Sequence, residues 1–278
     1  MTDERFTAGS KEGAIELAEL LQQADSSATV EIIFQPPDTF IVHRVSAVDT
    51  PKAPGPTSPG PGPGAPNQPG PPPSGAGFAE RLRLVAGGQW DFFGQQTYDV
   101  NGHALRVGHK EGEDGFFQRI GEYWLEGTDT HGLDGRDHGV PWSAAFISWS
   151  MKQAGAGKRF RYSTQHSVYI SQAIRDRLNG RADAGYWGFR LNEQAPDVGD
   201  VVCWAREDGV DYDNQKNGNY KGHCDIVAQK SDGMIFVIGG NVGDSVTKRP
   251  LRLAPNGFLQ PTVEGGETLF ALMENRIS

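Results

Sequence analysis

Apolar positions recur along the chain in two periods. Over residues 11–24, KEGAIELAELLQQA, Ala14, Ile15, Leu17, Ala18 and Leu21 fall on one helical face. The segments ATVEIIFQ and TFIVHRVSAV that follow read as two strands, joined by the turn residues Pro36, Pro37 and Asp38. Further on, the patterning predicts helices over 78–87, 114–126, 143–154 and 166–179. Strands are predicted over 199–205, 223–230, 233–239, 244–253 and 267–275. Helices first and strands last is the order of an α+β domain.

Between the two regions lies PKAPGPTSPGPGPGAPNQPGPPPSGAG, residues 51–77, which holds most of the 18 prolines. Such a segment cannot build a core. It reads as an extended, semi-rigid spacer that makes few contacts with its neighbours. The sequence thus divides into a small αββ unit over 1–50, a linker over 51–77 and a main domain over 78–278. The first 50 residues carry nine acidic and three basic side chains and no visible chemistry, the profile of a solubilising or docking appendage.

Composition narrows the function. A net charge of −9 and a pI near 5.3 argue against general nucleic-acid binding, which rests on basic contacts to phosphates. Two cysteines, Cys203 and Cys224, make no disulfide framework and no metal-ligand spacing. Cys203, within VVCWA, reads as a buried thiol. No run approaches the roughly 18 apolar residues of a membrane span. The stretch MTDERFTAGSKEGAIELAEL is acidic and has no apolar core, so a cytoplasmic product without a secretory leader is expected. Action in a periplasm or cell wall then requires another delivery route.

Three motifs carry candidate chemistry. In PWSAAFISWSMKQAG, Pro141 ends what precedes, a helix follows, and Gly155 is placed to cap its C-terminus. Ser143 falls at the helix start. There it is either an ordinary N-cap or a nucleophile beside free backbone N–H groups that favour developing negative charge. In GHCDIV, strand alternation puts His223 and Asp225 on one face and Cys224 on the other. His223, at a strand start beside the polar loop Asp213 to Tyr220, is a candidate general base. In VIGGN, Asn241 is a candidate orienter of that base, or a turn residue after two glycines.

Together these motifs resemble the papain-like peptidases of the CHAP and NlpC/P60 type. PWSAAFISWSMKQAG is similar to their PWCAAFV-W----AG run, APDVGDVVCWAR to their P--GD-V-F strand, GHCDIV to GHVGIV, and VIGGN to a following GGN. The closer resemblance is to the bacterial family DUF2272, where serine is expected at the Ser143 position and HCD in place of HVG. The match to the papain-like peptidases covers roughly residues 77–278 and keeps their order. It implies a papain-like α+β fold, with a helical half packed on an antiparallel sheet, and hydrolysis of a peptidoglycan amide bond. Ser143 would stand at the nucleophile position, His223 at the base and Asn241 at the orienter, with Asp225 as a second orienter. Serine in place of the family's cysteine needs a base to become nucleophilic. The other readings are a serine esterase on an acyl or lipid substrate and a non-catalytic module that binds cell wall or a partner. A secretion apparatus or an immunity protein is the partner expected of an antibacterial effector.

Remaining features are read against that site. His166 opens a helix and either caps it or lines the cleft, and Trp142 and Trp187 are expected to flank a substrate groove. The loop from Asp129 to His138 offers Asp129, Asp134 and Asp137 to a calcium ion, as in some CHAP domains, although its spacing is not that of an EF-hand. No other metal or cofactor is expected.

Overall fold

The structure is a computed structural model. It describes residues 2–8, 29–35, 39–46, 69, 70, 72 and 75–278 apart from Asp232. The chain divides into two compact units, Met1–Pro63 and Gly64–Ser278.

The first unit contains β1 (Thr2–Ala8), β2 (Thr29–Gln35) and β3 (Thr39–Ser46), an antiparallel sheet in the order β1-β3-β2. The two strands around Pro36–Asp38 are those predicted. Strand β1 was not predicted, because TDERFTA offers few apolar residues and its pairing to β3 is what makes it a strand. The helix expected over 11–24 and the linker up to residue 68 lie outside the described residues.

The second unit is α+β, with four helices and a curled mixed sheet that forms a half-barrel. The helices are α1 (Phe78–Phe92), α2 (Phe116–Thr128), α3 (Ser143–Gln153) and α4 (His166–Leu178). The strands are β4 (Gln96–Tyr98), β5 (Ala104–Arg106), β6 (Tyr186–Phe189), β7 (Val201–Ala205), β8 (Gly222–Ser231), β9 (Met234–Gly239), β10 (Thr247–Arg252), β11 (Val263–Glu264) and β12 (Glu267–Asn275). Their order is β11-β12-β7-β8-β9-β10-β4-β5, with β6 also on β12.

Every predicted helix and strand of this unit is present within a few residues of its expected ends. Short strands β4, β5, β6 and β11 were not predicted, since two to four residues carry too little periodicity to read. One of them changes the sheet type. Strand β4 runs parallel to β10, pairing Gln96 with Thr247, so the sheet is mixed rather than antiparallel as expected. The buried Gln96 side chain fixes this join by donating to Thr247 Oγ1 at 2.7 Å and to the Val242 carbonyl at 2.9 Å.

Strand alternation sorts side chains to two cores. Val201, Cys203, Cys224 and Ile226 face the helices, in one cluster with Phe146, Ile147, Tyr169 and Ile170. Val202, Trp204, Val237 and Leu272 face the inside of the half-barrel. Strand β7 is buried along its whole length because it lies between these cores. Helix α3 is buried from Ser143 to Met151, which explains why apolar and small residues surround it on all sides. Gly127 of α2 permits its closest neighbour: a Cβ there would come within 2.7 Å of Trp149 N and 2.8 Å of the Ala145 carbonyl. Gly155, at φ +88°, stops α3 as the sequence predicted.

The end of the linker does not behave as expected. Pro69 lies against Gly88, and Pro69, Gly70 and Pro72 line a cleft with Gln89, Arg119 and Trp149. A chain starting at Gly64 retains this packing and both cores. It is expected to unfold in one cooperative calorimetric transition. A broad, non-cooperative transition would show that the unit is not self-sufficient.

Candidate active site

Helix α3 begins at Ser143, with Trp142 as its N-cap residue and no side-chain capping bond. The first bond of the helix runs from Phe146 N to the Trp142 carbonyl. The N–H groups of Ser143, Ala144 and Ala145 are therefore outside the intrahelical ladder. Ser143 is not an N-cap: its hydroxyl turns away from the helix and hydrogen-bonds His166 Nε2 at 2.7 Å. His166 opens α4, and its Nδ1 is hydrogen-bonded to the Tyr169 hydroxyl one turn along. It caps nothing, since that helix also has no side-chain cap bond.

His223 occupies the strand start predicted for it, and its ring is tilted against that of His166 with centroids 5.3 Å apart. Its Nε2 donates to Asp225 Oδ1 at 3.0 Å. The other oxygen of Asp225 accepts from Trp204 Nε1 at 2.9 Å and Arg249 at 2.8 Å. Asp225 is completely buried. Burial alone would raise its pKa, but Arg249 and His223 outweigh that and hold the carboxyl well below the usual carboxylate range. His223 is thus drawn toward the inside of the half-barrel. The expected hydrogen-bond partnership of Ser143 with His223 is replaced by one with His166. His223 Nδ1 has no hydrogen-bond partner among the described residues.

Burial pushes the His166 imidazole well below its ordinary pKa, and His223 and Arg206 push it further, with Asp225 opposing. His166 is therefore neutral near pH 7. The whole set is closed to solvent: Ser143 is 2% exposed, His166 5% and His223 0%.

Strand β9 ends between this set and α3. At Gly239 a Cβ would lie 1.9 Å from Asp225 Oδ1, and at Gly240 it would lie 2.6 Å from Phe146 and 2.7 Å from Trp142. Both glycines are thus steric necessities. Asn241 follows at φ +57° and half-buried, the turn conformation that Asn tolerates, and the His223 nitrogen facing Asp225 is not bonded to it. Asp225 therefore holds the orienting position at His223.

The expected groove tryptophans are placed elsewhere. Trp142 is 1% exposed, packed against Phe93, Tyr123 and Phe146, with its Nε1 donating to Glu111 Oε2 at 2.7 Å. It is core because it must anchor the start of a buried helix. Trp187 lies under the Arg276 guanidinium, 3.7 Å from the ring centroid, and donates to the Arg181 carbonyl. In the acidic loop, Asp134 is paired with Arg136 at 2.6 Å, and Asp137 accepts the Asp134 N–H. Among the described residues no three His, Cys, Asp or Glu side chains converge to hold a metal ion.

Cys224 points to the helix side, as alternation predicts, with its sulfur 3.7 Å from Cys203. Tyr169, Trp204 and Arg249 were not picked out in the sequence. Tyr169 is legible as the i+3 neighbour of His166. Arg249 is not, since only the β8–β9–β10 pairing brings it to Asp225.

The model of the family described as an uncharacterised protein conserved in bacteria, DUF2272, matches residues 111–269, more than half of the chain, and the chain belongs to that family. No curated protein and no solved structure matches it.

Two outcomes are expected from this geometry. Gly239→Ala should destabilise the second unit by about 3 kcal/mol or more, because neither Asp225 nor the strand can yield; a denaturant midpoint unchanged from the parent would refute the packing. The second concerns pH. Unfolded, His166 takes up a proton as pH falls below its ordinary 6.5, whereas folded it stays neutral. Its contribution is thus present above pH 6.5 and is lost as pH falls, at up to about 1.4 kcal/mol per pH unit. The stability difference between the parent and His166→Asn should shrink with that sign between pH 6.5 and 5, and a flat difference would show that His166 protonates freely in the fold.

Proposed function

We propose that this member of the DUF2272 family is a serine-dependent acyl hydrolase that cleaves an amide bond of peptidoglycan. The observation that carries the hydrolase reading is the 2.7 Å bond between Ser143 Oγ and a neutral His166 Nε2 at the open end of α3. Ser143 Oγ attacks the acyl carbon while His166 takes its proton. The N–H groups at the start of α3 face the region where negative charge develops. His166 then returns the proton to the leaving group, and water hydrolyses the acyl-enzyme by the reverse use of the same base.

This reading differs from the family analogy in its base. In the papain-like scheme His223 serves the nucleophile; here His166 is in contact, and His223 stands beside it. In this reading His223 Nδ1, which has no hydrogen-bond partner among the described residues, meets a polar group of substrate or the hydrolytic water. The peptidoglycan substrate rests on the resemblance to CHAP and NlpC/P60 peptidases, as does a role as a delivered antibacterial effector or lysis enzyme. The near-complete burial of Ser143 favours a second reading, in which the Ser143–His166 bond is structural and the domain binds cell wall or a partner.

Ser143→Ala separates the two. If the serine is the nucleophile, hydrolysis of purified peptidoglycan, followed by mass analysis of the fragments, should fall by roughly 10⁴ to 10⁶. Labelling by a fluorophosphonate probe should vanish with it. Stability should fall by about 1–3 kcal/mol, the cost of leaving His166 Nε2 unpaired. Ser143→Cys should keep part of the activity and become sensitive to iodoacetamide. Parent turnover that survives Ser143→Ala would overturn the serine mechanism. Release of acyl or lipid products without wall fragments would assign an esterase.

A further inference from the structure

Two adjacent glycines, Gly87 and Gly88, lie inside α1, where glycine weakens a helix more than any residue but proline. Gly88 has a reason in the packing, since a Cβ there would come within 2.9 Å of Pro69. Gly87 has none: a Cβ there would meet nothing within 4 Å. It opens instead onto a groove of about 580 Å³ between α1 and strands β8, β9 and β10, a volume within the range of ligand sites. The floor of the groove is apolar, made by the buried Ala228 and Ile238 and by the half-buried Trp90. Trp90 is fixed in place by its Nε1, which donates to the Gln96 carbonyl at 2.7 Å.

The charges of the groove are unbalanced. Lys248 Nζ stands 4.9 Å from the Trp90 ring centroid and 5.3 Å from that of Phe236. It donates to Gln229 Oε1 at 3.2 Å and makes no ion pair among the described residues. The Lys230 side chain, also on the lining, has neither a hydrogen bond nor an ion pair among them. On the acidic side, Glu80 is engaged by Arg83 through two bonds, of 2.7 and 2.6 Å. Asp91 accepts from Gln95 Nε2 at 2.8 Å. Arg83 and Glu80 cancel, which leaves two lysines against one carboxylate. Burial pushes the Lys248 ammonium below its ordinary pKa, with Asp91 opposing, and a carboxylate in contact with Nζ would offset that desolvation. The lining follows α1 from Glu80 to Asp91, about 16 Å of helix, which is the length of about five residues of extended chain. We propose that this groove binds an extended peptide segment, with an acidic side chain's carboxylate on Lys248 and its apolar atoms on Trp90, in the space that Gly87 leaves open. The site is separate from Ser143 and His166, and it stands whether or not the domain hydrolyses anything.

Titration of the ¹⁵N-labelled full-length protein with a short blocked peptide, a central glutamate between alanines, tests this. The Trp90 indole signal, identified by its loss in Trp90→Phe, should shift and saturate. The same peptide with glutamine in place of glutamate should bind roughly tenfold more weakly or worse, the worth of a charge-assisted bond. Lys248→Met keeps an apolar stem on Trp90 but removes the charge, and it should weaken the glutamate peptide by a similar factor. Gly87→Leu is the stricter variant. Leucine favours a helix over glycine, so the melting temperature should hold or rise while the side chain fills the groove and binding is lost. A Trp90 signal that the glutamate peptide leaves unmoved, a glutamine peptide that binds equally well, or binding that survives Gly87→Leu overturns the proposal. Glucuronate that saturates the signal where the peptide does not would overturn the peptide and assign the groove to a sugar acid.

Discussion

A carboxylate buried inside the half-barrel governs the arrangement around it. Asp225 is charged and has no access to water, which is tolerable only when every lone pair is met and a cation is close. His223, Trp204 and Arg249 supply those partners from three different strands. The carboxylate lies over Gly239, where any side chain would collide with it, so the end of β9 is fixed as well. Once His223 is drawn inward by Asp225, its hydrogen-bonding capacity toward α3 is confined to Nδ1. The serine at the start of α3 is then met by the other histidine, His166.

The two histidines are therefore held by opposite kinds of chemistry. His223 belongs to an ionic cluster on the inner face of the sheet. His166 lies on the helix side, hydrogen-bonded to Ser143 and Tyr169. They meet where the start of β8 passes the start of α4, with ring centroids 5.3 Å apart. Desolvation and the nearby positive groups keep His166 without charge, the state a general base needs before it acts. The same burial leaves Ser143 nearly inaccessible in this conformation, so the proposed hydrolysis would need the site to open.

Much of this was legible in the sequence where a single periodicity or a single local rule applied. The four helices and five longer strands follow from apolar spacing. The opposite faces of Asp225 and Cys224 follow from strand alternation, and the αL stop at Gly155 follows from its place after a helical run. Trp142 was misjudged because a tryptophan beside a candidate nucleophile looks the same in sequence whether it lines a groove or anchors a buried helix. Only the ring of Phe93, Tyr123 and Phe146 around it separates the two. Similarly, GGN reads as a turn with an available amide, whereas its two glycines are required by what presses on them from either side.

The sequence by itself determined the four helices and five longer strands of the second unit, the division of chemistry between strand faces, the family, and the positions of Ser143, His166 and His223 at element starts. Those are local properties, set by spacing along one helix or one strand. The tertiary structure decided which histidine meets the serine, that Arg249 neutralises Asp225, and that β4 joins the sheet in parallel. Each of these depends on groups from different elements competing for the same hydrogen-bonding atoms in a space closed to water. That competition has no signature in any one segment, because its outcome is set by distances that exist only once the sheet has curled and the helices have packed on it.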